Sequence, residues 1–133
     1  MALKVEVSVG ELLDKITILE IKSERIGDPA KLANVTTELN ILRTTWADSP
    51  LSSHDLTRQI GQLKRVNEAL WDIEDNIRRK EAEQSFDDEF ISLARSVYHQ
   101  NDERAAVKKE INTLLGSDLV EEKSYVDYRK TGE

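Results

Sequence analysis

The chain has 133 residues, which is enough for one domain, and it contains no cysteine, so disulfides and thiolate metal sites are excluded. Its 26 acidic side chains outnumber the 19 basic ones and give a net charge of −7, which argues against a nucleic-acid partner because an acidic surface repels phosphate groups. No apolar run approaches membrane-spanning length, and the first residues lack the apolar stretch of a signal peptide. We therefore expect a cytoplasmic protein that binds neither a membrane nor a nucleic acid.

Residues 3–9 alternate between apolar and polar side chains, with Leu3, Val5, Val7 and Val9 on the apolar side. This period of two predicts a short extended segment, either a lone strand or an arm.

The first helix is predicted to begin after Ser8, because Ser8 and Glu11 match the Ser-x-x-Glu pattern of a capping box. Apolar residues then recur at helical spacing and extend around most of the circumference; they are Val9, Leu12, Leu13, Ile16, Ile18, Leu19, Ile21 and Ile26. A helix that is apolar on several sides has to be surrounded by others, so we predict that this helix is the centre of the core.

Three consecutive residues predict the turn into a second helix. Gly27 suits a left-handed position at the end of the first helix, Asp28 suits the next N-cap, and Pro29 suits the first turn that follows. Such a short turn predicts an antiparallel hairpin. The apolar positions of the second helix are Leu32, Val35, Leu39, Leu42 and Trp46. The stretch 48–53 is rich in Ser, Asp and Pro, and is predicted to be a loop.

A longer second hairpin is predicted from a third helix at about 55–83 and a fourth at about 86–115. Ser85 and Asp88 resemble a Ser-x-x-Asp cap before the fourth helix, and Gly116 is predicted to end it. Two hairpins predict an all-α, antiparallel four-helix bundle. Because the second hairpin is longer than the first, we also predict a homodimer in which the projecting apolar seams pack against a second copy.

The last 17 residues, 117–133, form a tail in which apolar side chains lie among charges. These apolar residues include Leu119, Val120, Tyr125 and Tyr128. Because disordered termini are normally poor in such residues, we predict that the tail packs back onto the bundle, with the Tyr125 hydroxyl reaching a polar partner. The alternative is a docking segment that becomes ordered on a partner. The predicted organisation is a single domain with an arm at 1–8, a helical bundle at 9–116 and the tail at 117–133.

Several segments together resemble the domain-of-unknown-function family numbered 6165, whose members are small proteins of bacteria and their phages. These segments are 7–22, 66–75, 93–98, 101–102 and 119–125. The resemblance extends from Val5 to about Tyr128 and implies no activity, cofactor or catalytic residue. It implies a location in the bacterial cytosol, or in the host cytosol for a phage protein. Some relatives lie near sugar-transfer proteins, so it also suggests a link to surface-sugar or phage–host processes.

Polar residues interrupt the apolar seams of the third and fourth helices at Asn67, Glu74 and Asn101. A buried amide or carboxylate is costly unless it is hydrogen-bonded, so these side chains are paired, exposed or used. The first interpretation is structural, with a polar layer that fixes the register of the helices. The second is a site between helices, with Glu74, Asp75 and Asp102 as acids, Lys22 or Arg78 as a counter-charge, and Tyr98 or Tyr125 nearby. The candidate site residues are Asn67, Glu74, Asp75, Tyr98, Asn101 and Asp102.

The sequence contains no established catalytic motif, and neither a metal nor a cofactor is predicted. We expect a non-catalytic helical interaction module that binds a protein partner or itself. The alternative is a Mg²⁺-dependent enzyme or binding protein for a nucleotide or nucleotide-sugar ligand in a site between helices. All-helical pyrophosphohydrolases place Glu-Glu-x-x-Glu and Glu-x-x-Asp on adjacent helices, whereas this chain has Glu121–Glu122 without the third acid and Asp72-x-x-Asp75 without its partner. This mismatch favours the interaction module.

Overall fold

The structure, a computed structural model, describes residues 1–129, and its regular elements are all helical. The elements are α1 (Val9–Arg25), α2 (Pro29–Asp48), a 3₁₀ helix (Pro50–Ser53), α3 (Thr57–Ala82) and α4 (Asp88–Leu115). The predicted all-α, four-helix fold is confirmed. The bounds of α3 and α4 lie within two residues of the predicted ones. No helix among the described residues is long and apolar enough to cross a membrane.

Helix α1 is the centre of the core, as its apolar circumference predicts. It packs against α2, α3 and α4, while α3 and α4 pack along each other as the second hairpin. The core residues from α1 include Leu13, Ile16 and Leu19, and those from the second hairpin include Leu63 and Ile111. Removal of each such side chain from water stabilises the fold by about 1.5–3 kcal/mol, so α1 organises the burial of the other helices.

The ends of the first hairpin agree with the predicted caps except at Gly27. The Ser8 hydroxyl accepts a hydrogen bond from the Glu11 backbone N–H at 3.1 Å, and Asp28 caps α2. Gly27 does not adopt a left-handed conformation, so that prediction is wrong. The reason is that Ile26, in an extended conformation, closes the last turn of α1 by donating its N–H to the Lys22 carbonyl at 2.9 Å.

The start of α4 corrects a second capping prediction. The N-cap is Asp87, not Ser85: one Asp87 carboxylate oxygen accepts from the Phe90 N–H at 3.0 Å, and the other accepts from Lys80 Nζ at 2.9 Å. These bonds, that from Lys80 first, lower the pKa of Asp87 to about 2. Asp87 takes this role because it immediately precedes the first helical residue. Gly116 ends α4, as predicted, and it adopts the left-handed conformation with φ of 61°.

The two ends of the chain lie outside the helices. No strand forms in residues 1–129, so the alternating first segment is an arm, and its Leu3 and Val5 side chains are exposed. The tail returns along α4, but the predicted burial of its apolar side chains is wrong, since Leu119 is 44% and Tyr125 80% exposed. The hydroxyl that contacts the bundle belongs to Tyr128. Residues 130–133 of the predicted tail lie outside the described residues.

Candidate functional site

A buried polar network joins α1 to the second hairpin. Asp14 of α1 is fully buried, and its two carboxylate oxygens have different partners. Oδ1 accepts from Asn67 Nδ2 at 2.8 Å, and Oδ2 accepts from Arg104 Nε at 3.0 Å. Asn67 Nδ2 also lies 3.0 Å from Thr17 Oγ1. The network therefore links α1, α3 and α4 through one carboxylate.

Lys108 of α4 extends this network toward the tail. Its side chain is 6% exposed, and Nζ lies 2.6 Å from Glu11 Oε2, 3.9 Å from Asp14 Oδ2 and 3.5 Å from Glu121 Oε1. Removing an ammonium group from water is costly unless opposite charges and hydrogen bonds replace the hydration. The three carboxylates provide that replacement, and Glu121 connects the tail to the core of the protein.

Two open clefts lie on either side of this network and share Asn101 and Arg104 in their walls. We call the first the helix cleft; it lies between α1, α3 and α4 and has a volume of about 510 Å³. The second, the tail cleft, lies between α4 and the tail and has a volume of about 680 Å³. Arg104 connects them, because it binds Asp14 and lines both clefts.

The structure divides the six candidate residues between these clefts. The helix cleft brings together Asn67, Glu74, Asp75 and Asn101. The tail cleft brings together Tyr98, Asn101 and Asp102. Of the suggested counter-charges, Arg78 lines the helix cleft and is ion-paired with Glu74, whereas Lys22 lines neither cleft. Tyr125 lines the tail cleft with Asp102, whereas Glu74 and Asp75 line the helix cleft.

An aromatic cluster closes the far end of the tail cleft. The Tyr128 hydroxyl donates to Asp102 Oδ2 at 2.5 Å and lies 3.3 Å from His99 Nδ1. The Tyr128 ring packs edge-on against Tyr98, with the ring centroids 4.8 Å apart. The bond to Asp102 raises the pKa of the Tyr128 hydroxyl above its usual value. This cluster attaches the tail to α4.

Sequence reasoning missed the charged centre of the network, namely Asp14, Arg104 and Lys108. A signal was present in α1, where the buried residues Gly10, Asp14 and Thr17 form a stripe at helical spacing. Small and polar residues on one side of an otherwise apolar helix indicate close packing and buried hydrogen bonds. Among residues 1–129, every buried side-chain nitrogen and oxygen has a hydrogen-bond partner. In the same range, no group of three or more His, Asp or Glu side chains is arranged to hold a metal ion.

A family model described as a family of unknown function (DUF6165) matches residues 3–132. The chain belongs to this family. No curated protein and no solved structure matches it. Much of the lining of both clefts comes from the segments that carry the DUF6165 resemblance, including 66–75 in the helix cleft and 119–125 in the tail cleft. Arg104 and Lys108, the two basic residues of the network, lie outside those segments but within the matched range.

Proposed function

We propose that this DUF6165 protein is a non-catalytic, cytoplasmic interaction module that presents the projecting half of the α3–α4 hairpin to a second copy of itself. One observation carries the proposal: no residue from Trp71 to Ala106 is buried. The other half of the hairpin, in contrast, buries Leu63, Val66 and Ile111 against α1 and its neighbours. In the projecting half, α3 and α4 therefore pack against each other without burying any side chain completely.

The projecting half carries an apolar seam that one hairpin cannot cover. Ile73 and Ile77 are only half-buried, and Phe86 and Ile91 are each 53% exposed. Apolar area contributes about 25 cal/mol for each Å² removed from water, so covering this seam favours association. A second hairpin of the same kind would convert the two-helix projection into a four-helix arrangement with a core of its own.

The buried network supports a structural use of the polar residues. Asp14, Asn67 and Lys108 each have partners on other helices of the same chain. Their placement is accounted for by the need to hold α1 in register with α3 and α4, as the structural interpretation supposes. This leaves the exposed seam as the feature that the chain's own packing does not use.

The self-association prediction compares two isoleucines of similar exposure. Ile91→Glu introduces a charge on the projecting seam, and we expect the dimer dissociation constant to rise about tenfold or more, because the charge has to be desolvated. Ile41, which is 59% exposed on α2, is the matched control, and Ile41→Glu should leave association unchanged. Light scattering across micromolar concentrations measures the mass, and circular dichroism verifies that both variants fold. A wild-type chain that stays monomeric would refute the proposal.

The catalytic alternative gives a second prediction. We expect no hydrolysis of nucleoside triphosphates with Mg²⁺ or Mn²⁺. In the helix cleft Glu74 is paired with Arg78, and residues 1–129 bring no group of three or more His, Asp or Glu side chains together around a possible metal position. Phosphate release from the purified protein measures this. Turnover that disappears in Glu74→Gln, but persists in a variant of an exposed acid such as Glu38→Gln, would establish the enzyme instead.

A further inference from the structure

The tail is held to the helices at separated points and leaves a hollow between them. Ser117 Oγ lies 3.4 Å from the Val9 nitrogen, Glu121 pairs with Lys108, and Tyr128 bonds to Asp102. Between the last two attachments, Tyr125 and Val126 are 80% and 90% exposed. The hollow is the tail cleft, and its volume of about 680 Å³ is in the range of small-molecule sites.

The lining of the tail cleft contains more basic than acidic side chains, although Arg104 and Lys108 also pair with Asp14 and Glu11 of α1, which lie outside the lining. Its charged residues are Arg104, Lys108 and Lys123 against Asp102 and Glu121, whereas the whole chain has a net charge of −7. Asp102 is engaged at the far end, where it accepts from Tyr128 and lies 3.6 Å from Arg129. Glu121 is therefore the carboxylate that the tail places between Lys108 and Lys123.

Glu121 is held to Lys108 more loosely than Glu11 of α1 is. Its Oε1 lies 3.5 Å from Lys108 Nζ, whereas Glu11 on α1 approaches the same nitrogen to 2.6 Å. Glu121 lies in a segment without regular structure, and its side chain is 41% exposed. Burial raises the pKa of Glu121. The hydrogen bonds and ion pairs with Lys123 and Lys108 together outweigh this effect, so the pKa lies below its usual value. An external carboxylate with the same single charge could replace it without disturbing Glu11.

We propose that the tail cleft binds a small organic monocarboxylate with an aromatic or apolar body. Its carboxylate replaces Glu121 beside Lys108 and Lys123, and its body lies against the part of the cleft lined by Val97 and Tyr98. Three tyrosines and three aliphatic side chains line the cleft and favour a ring over a purely polar ligand; they are Tyr98, Tyr125, Tyr128, Val97, Ala105 and Val126. One anionic group and one apolar body therefore define the ligand class.

The test uses benzoate as the probe, with benzamide and acetate as matched controls. Benzamide retains the ring without the charge, and acetate retains the charge without the ring. The full chain is titrated with each compound, and its backbone amide chemical shifts are followed by NMR. Benzoate should change the amide chemical shifts of Tyr98, Lys108 and Lys123. For both controls, the dissociation constant should be higher than that of benzoate by a factor of about ten or more. Benzamide binding as tight as that of benzoate, or benzoate shifts away from the cleft, would overturn the proposal.

Two neighbouring glutamates provide the decisive comparison. Glu121→Gln removes the competing charge and should tighten benzoate binding about threefold to tenfold. Glu122→Gln removes the same charge from a residue that does not line the tail cleft, and should leave binding unchanged. Lys123→Gln, at a side chain that is 41% exposed, should weaken binding without unfolding the protein. If Glu121→Gln and Glu122→Gln have equal effects, Glu121 does not occupy the ligand position and the proposal is wrong.

Discussion

Replacing Asp14 with alanine should lower the free energy of unfolding by about 3–5 kcal/mol, because one partner of a buried charged network is removed. Asp14 is fully buried and accepts hydrogen bonds from Asn67 and Arg104, with Lys108 Nζ 3.9 Å away. Without it, the Asn67 amide and the Arg104 guanidinium lose their shared acceptor, and Lys108 loses one of its three carboxylates. Urea unfolding followed by circular dichroism measures the change.

The control for this prediction is another aspartate that joins α1 to α3. Asp72 accepts from Arg25 at 2.6 Å, but its side chain is 63% exposed. Water screens such a pair, so Asp72→Ala should cost at most about 1 kcal/mol. Asp14→Asn should fall between the two, since it removes the charge but retains an acceptor for Asn67. If Asp14→Ala costs no more than Asp72→Ala, the network does not hold the helices together, and the interpretation of its polar residues as structural is wrong.

Local sequence patterns were sufficient to predict the helices and the position of α1. The apolar residues on several sides of α1 require neighbours all around, and the structure supplies them as α2, α3 and α4. Sequence patterns did not distinguish between two possible N-cap residues that lie close together in the chain. Ser85 and Asp87 are both good N-caps. The choice depends on where the helical backbone hydrogen bonds begin, and here Ile91 donates its N–H to the Asp87 carbonyl oxygen at 3.1 Å.

The candidate site was predicted in part, because periodicity identifies a polar residue on a seam but not its partner. Asn67 was found in this way, since Leu63 and Leu70 flank it on the same face. Its partner Asp14 lies 53 residues away on another helix, and only the packing of α1 against α3 brings them together. The tail shows the same limit. Its apolar composition predicted that it returns to the bundle, but composition does not specify how closely it packs.

A small residue permits the close approach of α1 and α4 on which the network depends. Gly10 donates its backbone N–H to Asn112 Oδ1 at 2.7 Å, directly beside the Glu11–Lys108 ion pair. A Cβ atom at position 10 would lie 2.6 Å from the Lys108 carbonyl oxygen and 3.0 Å from Asn112 Oδ1. The carbonyl belongs to the α4 backbone and cannot rotate away as a flexible side chain would.

Gly10→Ala should therefore separate α1 from α4 and lower the free energy of unfolding by about 2–3 kcal/mol, in the range expected for overpacking a buried contact. This loss should occur although alanine is the better helix former by about 1 kcal/mol, which makes the sign of the effect informative. Gly27→Ala is the matched control, because a Cβ at position 27 meets nothing within 4 Å and the backbone there is not left-handed. We expect that variant to be unchanged or stabilised by up to about 1 kcal/mol, through a smaller loss of chain entropy on folding. Thermal and urea unfolding of the two variants measure the contrast. A Gly10→Ala protein as stable as Gly27→Ala would mean that α1 and α4 do not approach as closely as the hydrogen bond from Gly10 to Asn112 requires.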